Sequence, residues 1–61
     1  MKHQISEHQQ SAGFVNGVRA YLTGKPDRAP EAPYHYRERF HLGYDFARVR
    51  VEDWGDTVEI V

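Results

Sequence analysis

The sequence predicts a mainly α-helical fold, an antiparallel helical hairpin followed by a C-terminal β-hairpin or extended segment over residues 48–61. Three observations predict it. Apolar residues recur at helical spacing in residues 11–23 and again in residues 34–48. All three prolines lie between these stretches, in residues 25–33. After the second stretch the apolar period changes to two, and the length of 61 residues limits the chain to a single small domain, residues 1–61.

The composition favours a folded chain without cross-links. There is no cysteine, which excludes disulfides and thiolate metal sites. Mean hydropathy is −0.79, which is polar for a globular protein, but three Phe, four Tyr and one Trp favour order. No apolar run approaches the ~20 residues of a membrane-spanning helix, and the first ten residues lack the apolar region of a secretory signal. We therefore expect a cytoplasmic protein with no membrane contact.

The first helix is predicted over residues 11–23, after a polar segment, residues 1–10, that is expected to be a flexible lead-in. Within the helix, Phe14, Val18 and Leu22 follow one another at four-residue spacing. A second face of this helix carries only small residues, Gly13, Gly17, Ala20 and Gly24. Glycine inside a helix costs about 1 kcal/mol relative to alanine. Close approach of another backbone is expected to offset that cost.

The second helix is predicted over residues 34–48, after a stiff interhelical loop, residues 25–33, that contains the prolines. Its aromatic and small residues form one stripe at helical spacing, Tyr36, Phe40, Gly43, Tyr44 and Ala47. Because both helices carry small residues on their apolar faces, we expect the two faces to pack closely against each other.

The segment after the second helix shows the alternation of a β-hairpin. Val49 and Val51 alternate with polar residues, and so do Val58 and Ile60, while residues 53–56 are typical of a turn. The alternative is that the helix continues to about residue 51 and a disordered acidic tail follows. A two-stranded hairpin is marginal by itself and leaves both outer edges open, so a homodimer through this segment is expected.

Charge is distributed unevenly along the chain. Residues 1–50 carry eight basic and five acidic side chains, a net charge of +3, whereas residues 51–61 carry four acids and no base. This asymmetry predicts a basic body and an acidic C-terminal hairpin, residues 49–61. The overall charge of −1 excludes an indiscriminate nucleic-acid binder, which needs a large excess of Lys and Arg.

The sequence contains no arrangement typical of an enzyme or a metal site. Its four histidines are spaced unlike zinc ligands. The C-terminal acids lack the fixed pattern of a calcium loop, and no serine or threonine stands in a nucleophile motif. A chain of this size also has few apolar residues from which to build a pocket. We therefore expect a non-enzymatic binding protein with no cofactor and no metal.

The basic residues are better candidates for function. Arginine planes and exposed aromatic rings bind phosphates and stack on the bases of single-stranded RNA. The proline-rich loop and the second helix bring such residues close together in the sequence. The RNA-binding candidates are Lys25, Arg28, Tyr34, Arg37, Arg39 and Arg48.

Three short motifs follow one another in this part of the chain. They are Gly17-x-x-Ala20-x-x-x-Gly24-Lys25, Pro33-Tyr34 and Arg37-x-x-Phe40-x-x-Gly43-Tyr44-x-x-Ala47. Over about residues 13–48, their order and spacing resemble the ribosome modulation factor family. That family is built on a Gly-x-x-Ala-x-x-x-Gly-Arg segment, a Cys-Pro-Tyr and an Arg-x-x-Trp-x-x-Gly-Trp-x-x-Ala segment.

The resemblance implies a helix–loop–helix protein that binds the small ribosomal subunit near the messenger exit region. There it would block initiation of translation and promote inactive ribosome dimers. The resemblance assigns a structural role to Gly17, Ala20, Gly24, Phe40, Gly43, Tyr44 and Ala47. The matched positions that would face RNA are Lys25, Pro33, Tyr34 and Arg37.

The chain departs from the family pattern in several positions. Ala32 stands in place of the cysteine, and Phe40 and Tyr44 stand in place of the two tryptophans. The stretch between Tyr34 and Arg37 is shorter than in the family. The family is also strongly basic, whereas this chain has a net charge of −1 and an acidic C-terminal segment.

The acidic C-terminal segment supports a second interpretation. In it, the protein is a small phage- or plasmid-type inhibitor, anti-host or anti-CRISPR, whose carboxylates mimic nucleic-acid phosphates toward a basic protein complex. The protein-binding candidates are then Glu52, Asp53, Trp54, Asp56 and Glu59. The sequence thus leaves two partners open, the ribosome with its RNA and a basic protein complex.

Overall fold

Two short strands from opposite ends of the chain and two helices between them form the fold in the computed structural model, which describes residues 1–61. The elements are β1 (Lys2–Ile5), α1 (Ala12–Leu22), α2 (Tyr34–Arg48), a π-helical segment (Val49–Asp53) and β2 (Thr57–Ile60). The two helices and the mainly α-helical class are as predicted. No helix is both long enough and apolar enough to cross a membrane.

Both ends of α1 are capped by residues that suit those positions. The hydroxyl of Ser11 accepts a hydrogen bond from the backbone N–H of Phe14, which satisfies one free donor of the first turn. At the other end, Gly24 has a φ of 74°, a left-handed conformation that favours glycine. The N–H of Gly24 bonds to the carbonyl of Tyr21 and the N–H of Lys25 to that of Ala20. These two bonds form a Schellman motif, which ends the helix and turns the chain into the loop.

The predicted C-terminal β-hairpin is wrong, because its first strand is helical. The backbone of α2 continues into the π-helical segment Val49–Asp53, which closes with a bond from the N–H of Trp54 to the carbonyl of Val49. Arg50 stacks its guanidinium on the ring of Phe46, four residues earlier, which is a contact that only helical backbone brings together. The alternating valines are therefore outweighed by local helical contacts, as in the alternative of a helix that continues to about residue 51.

The strand β2 pairs with β1, at the opposite end of the chain. The two strands are parallel, with Lys2 opposite Thr57 and Ile5 opposite Ile60. The description of residues 1–10 as a flexible lead-in is therefore wrong for β1, and the disordered acidic tail of the alternative is also absent. Ile5 is buried in the core, and burial of this one side chain draws the polar segment onto β2.

The contacts between α1 and α2 advance in the same direction along both helices. Near the start of α1, a Cβ on Gly13 would lie 2.5 Å from the carbonyl oxygen of Tyr36, near the start of α2. At the end of α1, the rings of Tyr21 and Tyr44 meet edge to face with their centroids 5.4 Å apart. An antiparallel hairpin would reverse this order, so the predicted antiparallel orientation is wrong.

The loop between the helices makes this orientation possible. Residues 23–33 can cover about 3.3 Å each when extended. The loop is therefore long enough to run back to the start of α1, whose 11 residues rise about 16 Å. The loop returns along α2, because the hydroxyl of Tyr44 donates to the carbonyl of Lys25 and the Asp27 carboxylate bonds to the ring of His41.

Glycines allow the two helices to touch backbone to backbone. A Cβ on Gly17 would overlap the carbonyl oxygen of Phe40, and a Cβ on Gly43 would overlap that of Phe14. The predicted close approach through small residues is thus confirmed. The core lies where this helix pair meets the sheet, and its buried members are Ile5, Val15, Val18, Ala47 and Val58.

Candidate functional site

Most of the C-terminal acids are bonded within the protein. The amino group of Met1 and the Nε2 atom of His3 each lie 2.8 Å from one carboxylate oxygen of Asp56. These two hydrogen bonds lower the pKa of Asp56, the amino group contributing first. The Asp56 side chain is only 14% exposed. This carboxylate therefore holds the first residues of the chain beside β2.

Two further acids have internal partners. The carboxylate of Glu59 accepts a hydrogen bond of 2.8 Å from the side-chain amide of Gln4, and the Nζ atom of Lys2 lies 3.1 Å from it. These contacts lower the pKa of Glu59. Glu52 accepts a bond of 2.7 Å from the hydroxyl of Tyr21, and this bond raises the pKa of that hydroxyl. Of the four C-terminal acids, only Asp53 makes no such bond.

Trp54, the aromatic candidate of the C-terminal segment, also has a partner within the protein. The guanidinium of Arg50 lies 3.6 Å from the ring centroid of Phe46 and 4.6 Å from that of Trp54, so it is held between the two rings. It donates to the carbonyl of Phe46, whereas its buried Nε has no hydrogen-bond partner. Trp54 is nevertheless 56% exposed.

The basic candidates divide into one paired and four unpaired side chains. Arg48 lies 2.6 Å from the carboxylate of Asp45, and this bond raises the pKa of the guanidinium. Lys25, Arg28, Arg37 and Arg39 take part in no ion pair. The unpaired positive charges of the candidates therefore lie between residues 25 and 39, in the loop and the first half of α2.

A cleft of about 380 Å³ lies between α1, the proline-rich loop and α2. Its lining residues are Asn16, Arg19, Ala20, Thr23, Lys25, Pro26, Arg28, Pro30, Tyr36 and Phe40. Three of them are cationic and none is acidic. Lys25 and Arg28 come from the candidates of the sequence, and Arg19 joins them from α1. We call this feature the basic cleft.

Hydrogen bonds fix both walls of the basic cleft. The side-chain amide of Asn16 donates a bond of 2.6 Å to the hydroxyl of Tyr36, which joins α1 to α2. Arg19 bonds to the carbonyl oxygen of the Asn16 side chain and to the carboxylate of Glu7, both at 2.8 Å. The hydroxyl of Tyr44 holds the carbonyl of Lys25 at 2.7 Å. The loop is thus anchored to α2, and side-chain hydrogen bonds hold the walls of the cleft in place.

The remaining candidates lie outside the basic cleft. Tyr34 and Arg37 lie with His41 and Leu42 along a shallow groove of about 420 Å³ on the outer face of α2. All the residues of this groove come from one helix, so it has no opposing wall. The Tyr34 side chain is 76% exposed there, and its hydroxyl lies 3.5 Å from Glu38.

Sequence reasoning missed the contribution of α1 to the basic cleft. Asn16 and Arg19 of α1 line it, as does Tyr36 of α2, and none of the three was a candidate. The sequence did hold a signal for Arg19. It directly precedes Ala20, which belongs to the small-residue face that packs near α2, so Arg19 lies at the edge of that face. Arg19 was not chosen because the predicted antiparallel hairpin does not bring the loop beside this face of α1.

Comparisons with known proteins assign the chain to no family, since no family model, no curated protein and no solved structure matches it. No group of three or more His, Cys, Asp or Glu side chains is arranged to hold a metal ion. The basic cleft is thus the feature from which a function is best argued, because it combines two walls, a fixed shape and charge of one sign.

Proposed function

We propose that the protein is a non-enzymatic, ribosome modulation factor-like protein that binds an RNA or ribonucleoprotein surface through the basic cleft and inhibits translation. The observation that carries this proposal is the lining of the cleft, which has three cationic side chains and no carboxylate. Such a site attracts phosphate groups, which provide much of the affinity of proteins for RNA.

The unpaired state of the cations supports the proposal. Lys25 and Arg28 have no internal ion pair, so they bind a phosphate without first releasing a carboxylate. Arg19 is paired with Glu7, but both side chains are about half exposed. An exposed pair of this kind contributes only about 0–1 kcal/mol to stability and exchanges readily for a phosphate.

The resemblance to the family adds a second contact region. Its matched positions Tyr34 and Arg37 lie on the outer face of α2, next to the loop that carries Lys25. An exposed tyrosine ring and an arginine plane stack on unpaired bases. We therefore place the loop and the first half of α2 against the RNA, with the acidic end of the chain directed away from it.

The geometry favours this function over that of an inhibitor acting through the C-terminal acids. Glu52, Asp56 and Glu59 all accept hydrogen bonds from groups of the protein itself. A basic protein partner would compete with these bonds, and it would weaken the attachment of β1 to β2. In this proposal the acids stabilise the fold.

Co-sedimentation with isolated small ribosomal subunits tests the proposal. We expect wild-type protein to sediment with the subunits at low salt and Lys25→Gln/Arg28→Gln to lose most of this binding. The matched control is Lys2→Gln/Arg48→Gln, which removes the same charge from cations that lie outside the basic cleft. Wild-type protein that remains in the supernatant at low salt, or equal losses in both double variants, would contradict the proposal.

A further inference from the structure

The basic cleft has two chemically different parts. Its cationic residues, Arg19, Lys25 and Arg28, come from α1 and the loop, whereas its accessible apolar surface includes the exposed Pro26 and Pro30 and the half-buried Tyr36. A phosphate group interacts with cations and hydrogen-bond donors, so phosphate binding alone does not require an apolar wall. A ligand that fits both parts carries a negative charge next to a flat, weakly polar group.

We propose that the basic cleft accepts a single unpaired nucleotide of an RNA strand, its base against Tyr36 and the prolines of the loop and its phosphate among the cations. This inference rests on the proposed function and names the part of the RNA that enters. The volume of about 380 Å³ is at the lower end of the ~300–1,000 Å³ of small-ligand sites. A cleft of this size admits one nucleotide and excludes a double helix.

The hydrogen-bonding state of the lining predicts little discrimination between bases. The amide of Asn16 already donates to Tyr36 and accepts from Arg19. The hydroxyl of Thr23 bonds to the carbonyls of Arg19 and Ala20, within its own helix. Since few groups remain free to bond base edges, recognition at this one position depends on stacking and charge, which tolerate any base. The site therefore accepts an unpaired nucleotide and does not distinguish one base from another.

Filling the cleft tests the inference on the full-length protein. Thr23→Trp places a large ring in the cleft from its exposed margin, whereas Leu22→Trp places the same ring on an exposed residue that does not line it. Thr23→Ala removes the hydroxyl without filling the cleft. The probe is a fluorescently labelled single-stranded RNA of mixed sequence, and its affinity is measured by anisotropy. The same strand annealed to its complement, a mononucleotide and inorganic phosphate serve as competitors.

We expect Thr23→Trp to weaken binding of the single strand about tenfold, the loss expected for one stacked base, while Leu22→Trp and Thr23→Ala stay within about twofold of wild type. The mononucleotide should compete better than inorganic phosphate, and the duplex should compete least. Equal binding by Thr23→Trp and wild type, or equal competition by duplex and single strand, would overturn the inference.

These outcomes also separate the inference from the proposed function. Wild-type protein that sediments with ribosomal subunits but shows no cleft-dependent binding of single strands retains the proposed function and overturns the nucleotide site. Protein that binds single strands in a cleft-dependent way but never sediments with ribosomal subunits supports the nucleotide site and contradicts the ribosomal function.

Discussion

The hydroxyl of Tyr44 donates a hydrogen bond of 2.7 Å to the backbone carbonyl of Lys25. This bond joins the apolar face of α2 to the loop, and it fixes the backbone of Lys25, which lines the basic cleft. The same tyrosine packs edge to face on Tyr21, so α1, α2 and the loop meet at this one side chain. Cleft geometry is therefore coupled to helix packing.

We predict that Tyr44→Phe loosens the loop while leaving the helices packed. The ring contact with Tyr21 survives, whereas loss of a partly exposed hydrogen bond should cost about 0.5–1.5 kcal/mol of unfolding free energy. Amide hydrogen exchange should accelerate in residues 24–28 before it accelerates in either helix. Tyr34→Phe is the control, because the hydroxyl of Tyr34 makes only a long contact of 3.5 Å with Glu38, within α2, and bonds to no loop residue. Equal exchange in both variants would contradict the role of this bond.

The glycine contacts predict that even a methyl group destabilises the helix pair. Gly17→Ala and Gly43→Ala each place a Cβ against a backbone carbonyl, which has no rotamer to escape the overlap. We expect each to lower the free energy of unfolding by about 1–3 kcal/mol, as for overpacking, despite the better helix propensity of alanine. Leu22→Ala, on an exposed side chain of α1, should change stability by less than about 0.5 kcal/mol. Denaturant unfolding measures all three.

The carboxylates of the sheet predict loss of stability in acid. The pKa values of Asp56 and Glu59 are lowered below 3.8 and 4.5 by their hydrogen bonds. The stability they contribute is therefore present above those values and is lost as the pH falls through the folded-state pKa. Thermal midpoints should fall as the pH is lowered from about 5 to about 3. Asp56→Asn should flatten this profile, whereas Asp53→Asn, at an acid with no internal bond, should not. Parallel profiles for both variants would contradict the role of Asp56.

The homodimer remains a prediction, although the structure changes its geometry. The sheet has two parallel strands, β1 and β2, and each has one unpaired outer edge that is open to a second copy. Val61, directly after β2, is 57% exposed. We expect sedimentation equilibrium to show dimers at high micromolar concentration and Val61→Lys to weaken them, because a charge next to an edge disfavours strand addition. A monomer at every concentration would contradict this prediction.

Local sequence signals were sufficient for the helices and insufficient for their arrangement. Ser11 and Gly24 mark the ends of α1, and Pro33 precedes α2, because capping and φ preferences act within a few residues. The direction of packing depends instead on the path of the loop. The contacts of Lys25 with Tyr44 and of Asp27 with His41 that set this path carry no pattern in the sequence.

The pairing of β1 with β2 could not be predicted from the sequence either. β1 has one buried apolar residue, Ile5, and no alternation that predicts a strand. Its partner lies more than 50 residues away, and pairing is set by the contacts of His3 with Asp56 and of Gln4 with Glu59. For the site, Lys25 and Arg28 were accessible to prediction as residue types, whereas Arg19 required knowledge of how α1 faces the loop.

The most direct test of the central claim is the salt dependence of binding to small ribosomal subunits. Each phosphate contact contributes about 0.7–0.9 to the slope of log affinity against log salt concentration. If Lys25 and Arg28 both contact phosphates, Lys25→Gln/Arg28→Gln should reduce the magnitude of the wild-type slope by about 1.5, whereas Lys2→Gln/Arg48→Gln should leave it unchanged. Equal slopes for wild type and the Lys25/Arg28 double variant would contradict the claim that the basic cleft binds RNA.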